Sequence, residues 1–334
     1  MKLRQLCYVS AAFLALVSAA SPKAARAEET VKIDGSSTVF PIAEAVAEEF
    51  QLSKRGGVRV TVGISGTGGG FKRFCRGEVD ISNASRPILK EEMAACREAG
   101  VKYIELPIAF DALTVVVNPK NTWVKSLTIE DLRKIWEPSA QGRITRWNQV
   151  RPEWPAAPLV LFGPGADSGT FDYFTEAVNG KSKASRGDFA ASEDDNVIVK
   201  GIEGNPNALG YFGYAYYLEN KERVRAVPIV NSAGQAVMPS LAAVSDGSYE
   251  PLSRPLFIYV SEAAAQRAPV RELIEFFLTE GPALAQEVGH VPLPKTAYRL
   301  ALQHFKDGKL GTVFGGVPEV GVTIDELLVR EGKL

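Results

Sequence analysis

Three times along this chain an apolar, strand-like run breaks into a Ser/Thr/Gly loop that opens directly into an amphipathic helix. The runs are Val31–Ile33 into Asp34-Gly35-Ser36-Ser37-Thr38, Val58–Ile64 into Ser65-Gly66-Thr67-Gly68-Gly69-Gly70, and Leu159–Phe162 into Gly165-Ala166-Asp167-Ser168-Gly169-Thr170. Strands alternating with helices place the chain in the α/β class. Each loop leaves hydroxyls and unpaired backbone N–H groups at a helix N-terminus, where the macrodipole favours negative charge. Any one of them reads equally well as an ordinary capped helix. Three of them are enough to surround a small oxyanion.

The N-terminus reads as an export address. Lys2 and Arg4 form a positive n-region, Val9 to Ala20 an apolar h-region, and Ala25-Arg26-Ala27 a small-x-small cleavage site, so the sequence predicts a signal peptide over 1–27. Cys7 precedes the h-region, away from the cleavage site where a lipoprotein carries its acylated cysteine. No second run of ~18 apolar residues follows. The expectation is a free periplasmic protein, cut after Ala27. Residues 1–27 carry four cations and no acids, leaving 34 Lys and Arg against 39 Asp and Glu. That mildly acidic balance offers no basic stripe for nucleic acid, so a bound anion must be held by local geometry. Cys75 and Cys96 remain beyond residue 27, in a compartment that permits disulfides. A bridge and two separate thiols stay equally open, because spacing does not give the Cα separation.

About 300 residues exceed what one core comfortably supports, which points to two lobes. Pro41 sits at a helix start, with Ile42, Ala45, Val46 and Phe50 on one stripe, and Val79–Ile81 reads as a short strand. Leu113–Asn118 and Phe257–Val260 read as strands crossing between lobes, the second within the run that begins at Arg254. The expected division is lobe I over 28–113 plus 255–334 and lobe II over 114–254. Thr128 with Asp131 is a helix cap, Trp136, Trp147 and Trp154 belong to the core or to a lobe surface, and the rings of Tyr211–Tyr217 read as a packed strand or helix, with the lining of a cleft as the alternative.

Enzyme readings fail by absence. Thr67 stands where a nucleophile elbow needs glycine, and Phe71-Lys72-Arg73 follows the glycine run where a P-loop needs Gly-Lys-Ser/Thr. The two histidines, His290 and His304, fall in no catalytic or metal motif, so neither a metal nor a cofactor is expected. A secreted phosphatase or esterase would need such a centre. What remains is a set of donors: the hydroxyls of Thr38, Ser65, Thr67, Ser168 and Thr170, the loop N–H groups, and the guanidinium of Arg86. A dehydrated tetrahedral oxyanion fits that set, because each of its lone pairs needs a donor once water is gone.

The segments Asp34-Gly35-Ser36-Ser37-Thr38-Val39-Phe40-Pro41, Ser65 to Lys72, Asp80-Ile81-Ser82-Asn83-Ala84-Ser85-Arg86-Pro87, Phe110-Asp111-Ala112-Leu113 and Asp167-Ser168-Gly169-Thr170-Phe171 occur in this order. In that order the chain resembles PstS-type phosphate-binding proteins, and within them the branch exemplified by cyanobacteria. The resemblance implies a two-lobed, type II (Venus-flytrap) periplasmic binding protein with a central sheet in each lobe. It further implies a monomer that closes about phosphate and delivers it to the permease and ATPase of an ABC importer. It maps the ligands onto Thr38 and Val39, onto Thr67 with Ser65 or Gly68, and onto Ser168, Gly169 and Thr170. Two positions depart from the best-known pattern. Arg86 stands where that pattern has Asp, and Pro164-Gly165 where it has Arg. The expectation is that Arg86 supplies the displaced guanidinium and Asp111 the displaced carboxylate, though Asp111 also reads as a strand cap or a partner of Arg86. A carboxylate in the site would accept phosphate's proton and repel sulfate. Without it, sulfate or molybdate becomes the alternative ligand.

Overall fold

The computed structural model describes residues 29–55 and 57–333, so the expected signal peptide lies outside the described residues. The strands are β1 (Glu29–Gly35), β2 (Val58–Val62), β3 (Ile81–Ala84), β4 (Tyr103–Val117), β5 (Val160–Pro164), β6 (Ala190–Ser192), β7 (Ala208–Gly213), β8 (Arg225–Ala226), β9 (Ile229–Val230), β10 (Ala236–Val237) and β11 (Ser253–Ser261). They form one path in the order β2-β1-β3-β11-β4-β7-β5-β6, with β8 beside β4 and β9–β10 as a separate hairpin. β2, β1 and β3 are mutually parallel at one end, β7, β5 and β6 at the other, and antiparallel β4 and β11 join them.

The 15-residue β4 is buried along its whole length. It pairs with β11 up to Ala112 and with β7 from Leu113 onward, so one strand serves both lobes of this type II two-lobed fold. The second crossing strand, β11, begins at Ser253, with Arg254 opposite Asp111.

Each expected loop follows a parallel strand and leads into a helix: β1 into α1 (Phe40–Ser53), β2 into α2 (Gly66–Cys75), β5 into α5 (Gly169–Asn179). Right-handed crossovers send such helices back along the sheet, so all three helix N-termini collect at the carboxyl edge of the strands, where open α/β sheets bind ligands. Pro41 occupies the first turn of α1, and Ile42, Val46 and Phe50 are buried on its inner face. The strand expected at 79–81 lies later, at Ile81–Ala84: its residues are all buried, and Ser82 and Asn83 pair with β1 and β11 despite their polarity. α3 (Lys90–Glu98) and α4 (Ile129–Trp136) follow, the latter capped by Thr128 and Asp131 as expected. α6 (Asp195–Glu203) and α7 (Tyr214–Glu219) flank β7. Trp136, Phe174 and Tyr211 interlock in the core of the second half, Phe174 stacked on Tyr211 with ring centroids 3.8 Å apart. Cys75 on α2 and Cys96 on α3 form a disulfide, resolving the alternative the sequence left open. Among the described residues no helix is long and apolar enough to cross a membrane.

Candidate functional site

The loops meet at a buried arginine, Arg254, which in the sequence reads only as the start of a strand. Arg254, fully buried at the entry to β11, donates from Nη2 to Thr38 Oγ1 (3.1 Å), Thr170 Oγ1 (2.8 Å) and Asp111 Oδ2 (3.0 Å). Its Nη1 reaches the carbonyl of Gly169 at 3.1 Å, and its Nε reaches Asp111 Oδ2 at 3.3 Å. Thr38 and Thr170 also bond to each other at 3.0 Å, bringing the loop before α1 directly against the N-terminus of α5. The other Asp111 oxygen accepts the Tyr214 N–H at 3.2 Å. The Tyr173 ring lies under the guanidinium, 5.6 Å from its centroid.

The second loop arrives beside this junction. Thr67 Oγ1 bonds to Ser85 Oγ at 3.2 Å and accepts the Ser85 N–H at 3.1 Å. Gly169 fits against both: a Cβ there would lie 2.4 Å from Thr67 Oγ1 and 2.6 Å from Ser85 Oγ, so only glycine permits the approach. The first-turn N–H groups of α1, α2 and α5 have no carbonyl partner inside their own helices, and Thr38, Val39, Thr67, Gly68, Gly169 and Thr170 stand at those ends. Val39 contributes only backbone, its side chain being wholly in the core.

Two expected donors are engaged elsewhere: Ser65 Oγ donates to Asp34 at 2.8 Å, and the Gly68 N–H donates to the Asp167 carbonyl at 2.8 Å. Ser168 Oγ caps its own helix by accepting the Thr170 N–H, which leaves its hydroxyl proton to donate.

Arg86 needs a larger correction. Its guanidinium is not at the junction. Nη1 and Nη2 donate to the two oxygens of Glu92 at 2.8 and 2.7 Å, Nη1 also to the Pro87 carbonyl, and Nε to Asp172 Oδ2 at 2.7 Å. Two carboxylates draw the fork away from the hydroxyl cluster. Asp111 is paired with Arg254 rather than with Arg86.

Two buried polar groups complete the surroundings. His290 Nε2 lies 3.0 Å from the Thr38 carbonyl, which can only accept, so Nε2 carries the proton; burial holds this imidazole below its usual range and keeps it neutral. Asp195 accepts from Ser37 Oγ at 3.3 Å, and burial pushes its carboxyl up to about 7.

A family model described as a PBP superfamily domain matches residues 20–280. The protein SphX of Synechococcus elongatus is 56% identical over 302 residues, covering 90% of this chain and 89% of the relative. The phosphate-binding protein PstS of Staphylococcus saprophyticus is 40% identical over 276 residues, covering 82% and 83%. The chain belongs to the PstS-type family of phosphate-binding proteins. A crystal structure of a putative phosphate ABC transporter substrate-binding protein with bound phosphate, from Clostridium perfringens, matches with a TM-score of 0.66 at 28% identity, over 80% of this chain and 100% of that one.

Within this PstS-type protein the missed residue is Arg254. Its signal was present: a cation at the mouth of the apolar strand Pro255–Val260, where a solvated side chain would have no water to reach. Arg86 stands in a family motif, but motif position carries no information on which way a side chain turns.

Proposed function

We propose that this protein binds inorganic phosphate in the periplasm, after export and cleavage behind Ala27, and delivers it to the permease and ATPase of an ABC importer. The observation that carries the reading is the Arg254 junction. One buried guanidinium holds hydroxyls from the first and third loops and a carboxylate from the crossing strand, at the place where three helix N-termini converge. The phosphate-binding name of the PstS relative points the same way.

In this reading Arg254 supplies the cation and Thr38, Thr67, Ser85 and Thr170 the hydroxyl donors. The N–H groups of Thr38 and Val39, just ahead of α1, and of Gly169 at the start of α5 complete the shell, and Asp111 accepts the ligand's proton. The direct Thr38–Thr170 bond would exchange for bonds to the ion. Hydroxyls suit that exchange because they donate as readily as they accept, and charge-assisted bonds are about twice as strong as neutral ones. The lobes, 28–113 plus 255–334 and 114–254, would hinge on β4 and β11 and shut out water around the ion. The monomer acts alone in binding.

The test is equilibrium binding of phosphate, arsenate, sulfate and molybdate to protein stripped of ligand. Phosphate and arsenate, which both retain a proton near neutrality, should bind far more tightly than sulfate or molybdate. Equal affinity for all four would remove proton recognition and with it the phosphate assignment.

A further inference from the structure

Arg86 and Asp172 face each other across the two halves of the molecule, away from the Arg254 junction. Arg86 follows β3, whereas Asp172 lies in the first turn of α5, beyond β5. Both are nearly inaccessible, at 4% and 2% side-chain exposure, and their bond is 2.7 Å.

The partners are unequally supported. Arg86 keeps both terminal nitrogens on Glu92, which its own half supplies and which is fixed by accepting the Leu89 N–H at 2.9 Å. Asp172 has little besides Arg86: its second oxygen lacks a hydrogen bond, and Lys183 Nζ stands 4.0 Å off. When the halves separate, Arg86 therefore stays oriented while Asp172 passes to water. A guanidinium already held in place loses little freedom on re-forming the bond. Desolvation offsets much of the Coulomb attraction of a buried pair, so such a contact selects one geometry without locking it. Asp172 lies two residues from Thr170, and the contact that draws it in also seats the N-terminus of α5.

We propose that Arg86 and Asp172 form a latch between the lobes, biasing the ligand-free protein toward the closed form and slowing release of the bound ion. Arg86 is then a positioning residue acting through α5. The release half of the inference rests on the phosphate reading; the ligand-free half does not.

The experiment compares wild type with Asp172→Asn, which keeps shape and one acceptor, and Asp172→Ala, which removes the partner. Small-angle scattering of ligand-free protein should show a larger radius of gyration in the order wild type, Asn, Ala. Stopped-flow release of phosphate should quicken by about tenfold or more in the Ala variant, with association little changed. Ligand-free scattering that superimposes for all three overturns the latch, even if the variants melt earlier, because a purely structural role predicts that pattern. More open variants with unchanged release overturn the release half. Wild type that fails to bind phosphate strikes the function reading and leaves the scattering comparison standing.

Discussion

Two arginines are buried at the meeting of the lobes, and they differ in what surrounds them. Arg86 faces two carboxylates, Glu92 and Asp172. Arg254 faces one carboxylate, two threonine hydroxyls and a carbonyl. A carboxylate only accepts, so the two acids, with the Pro87 carbonyl, take up the Arg86 fork and offer an arriving dianion no donor. The hydroxyls around Arg254 can turn and donate, and that cluster is neutral before the ion arrives. Burial of a cation does not by itself identify an anion site. The charge and donor capacity of its neighbours do.

The largest effect should come from exchanging these roles by mutation. Arg254→Ala leaves Asp111 buried without its counter-charge and takes the cation from the ion, so phosphate binding should weaken by about 3–5 kcal/mol, or at least a hundredfold. Arg254→Lys should restore part of it, because an ammonium keeps the charge but lacks the fork that reaches both threonines. Isothermal titration of the two variants beside Asp172→Ala gives the ranking. If Arg254→Ala binds as well as Asp172→Ala, the contrast between the two clusters fails.

A smaller effect tests the one carboxylate in the neutral cluster. Asp111→Asn turns an acceptor-only group into one that also donates, which should weaken phosphate by roughly 1–3 kcal/mol and relieve the repulsion of sulfate. The phosphate-to-sulfate affinity ratio should fall, most clearly above neutral pH, where phosphate changes its proton count and sulfate does not. An unchanged ratio across several pH values would leave Asp111 as a support for Arg254 and Tyr214 alone.

The difference between the clusters also separates what was legible in the chain from what was not. Backbone placement follows from local chemistry. Thr38, Thr67, Gly169 and Thr170 stand where strand, loop and helix signals put them, because a Ser/Thr/Gly stretch between an apolar run and an amphipathic helix leaves the chain few alternatives. β4 was visible only as a β-branched run, and it extends ten residues earlier than Leu113 because the buried segment from Tyr103 to Ala112 pairs with β11 before the same strand passes on to β7. The arginines were not legible in this way. Arg86 turns toward Glu92 and Asp172, and Arg254 toward Thr38 and Thr170, partners between 6 and 216 residues away. Only the closed tertiary arrangement decides which cation meets which acid.

The smallest expected effect isolates burial as the cause. Lys72 and Asp167 also pair across the two halves, at 2.7 Å, the same distance as Arg86 and Asp172, but with side chains 62% and 41% exposed. Water and salt screen such a pair, and two mobile side chains lose freedom in forming it, so it contributes no more than about 1 kcal/mol. Lys72→Ala should therefore change phosphate affinity by less than about fivefold, and that change should vanish at high ionic strength. Its ligand-free scattering should match wild type. The Asp172 variants should keep most of their effect in the same salt, because their pair is closed to solvent. If Lys72→Ala opens the ligand-free protein as far as Asp172→Ala does, any cross-cleft contact would serve, and the separation of a buried latch from a solvated rim would be lost.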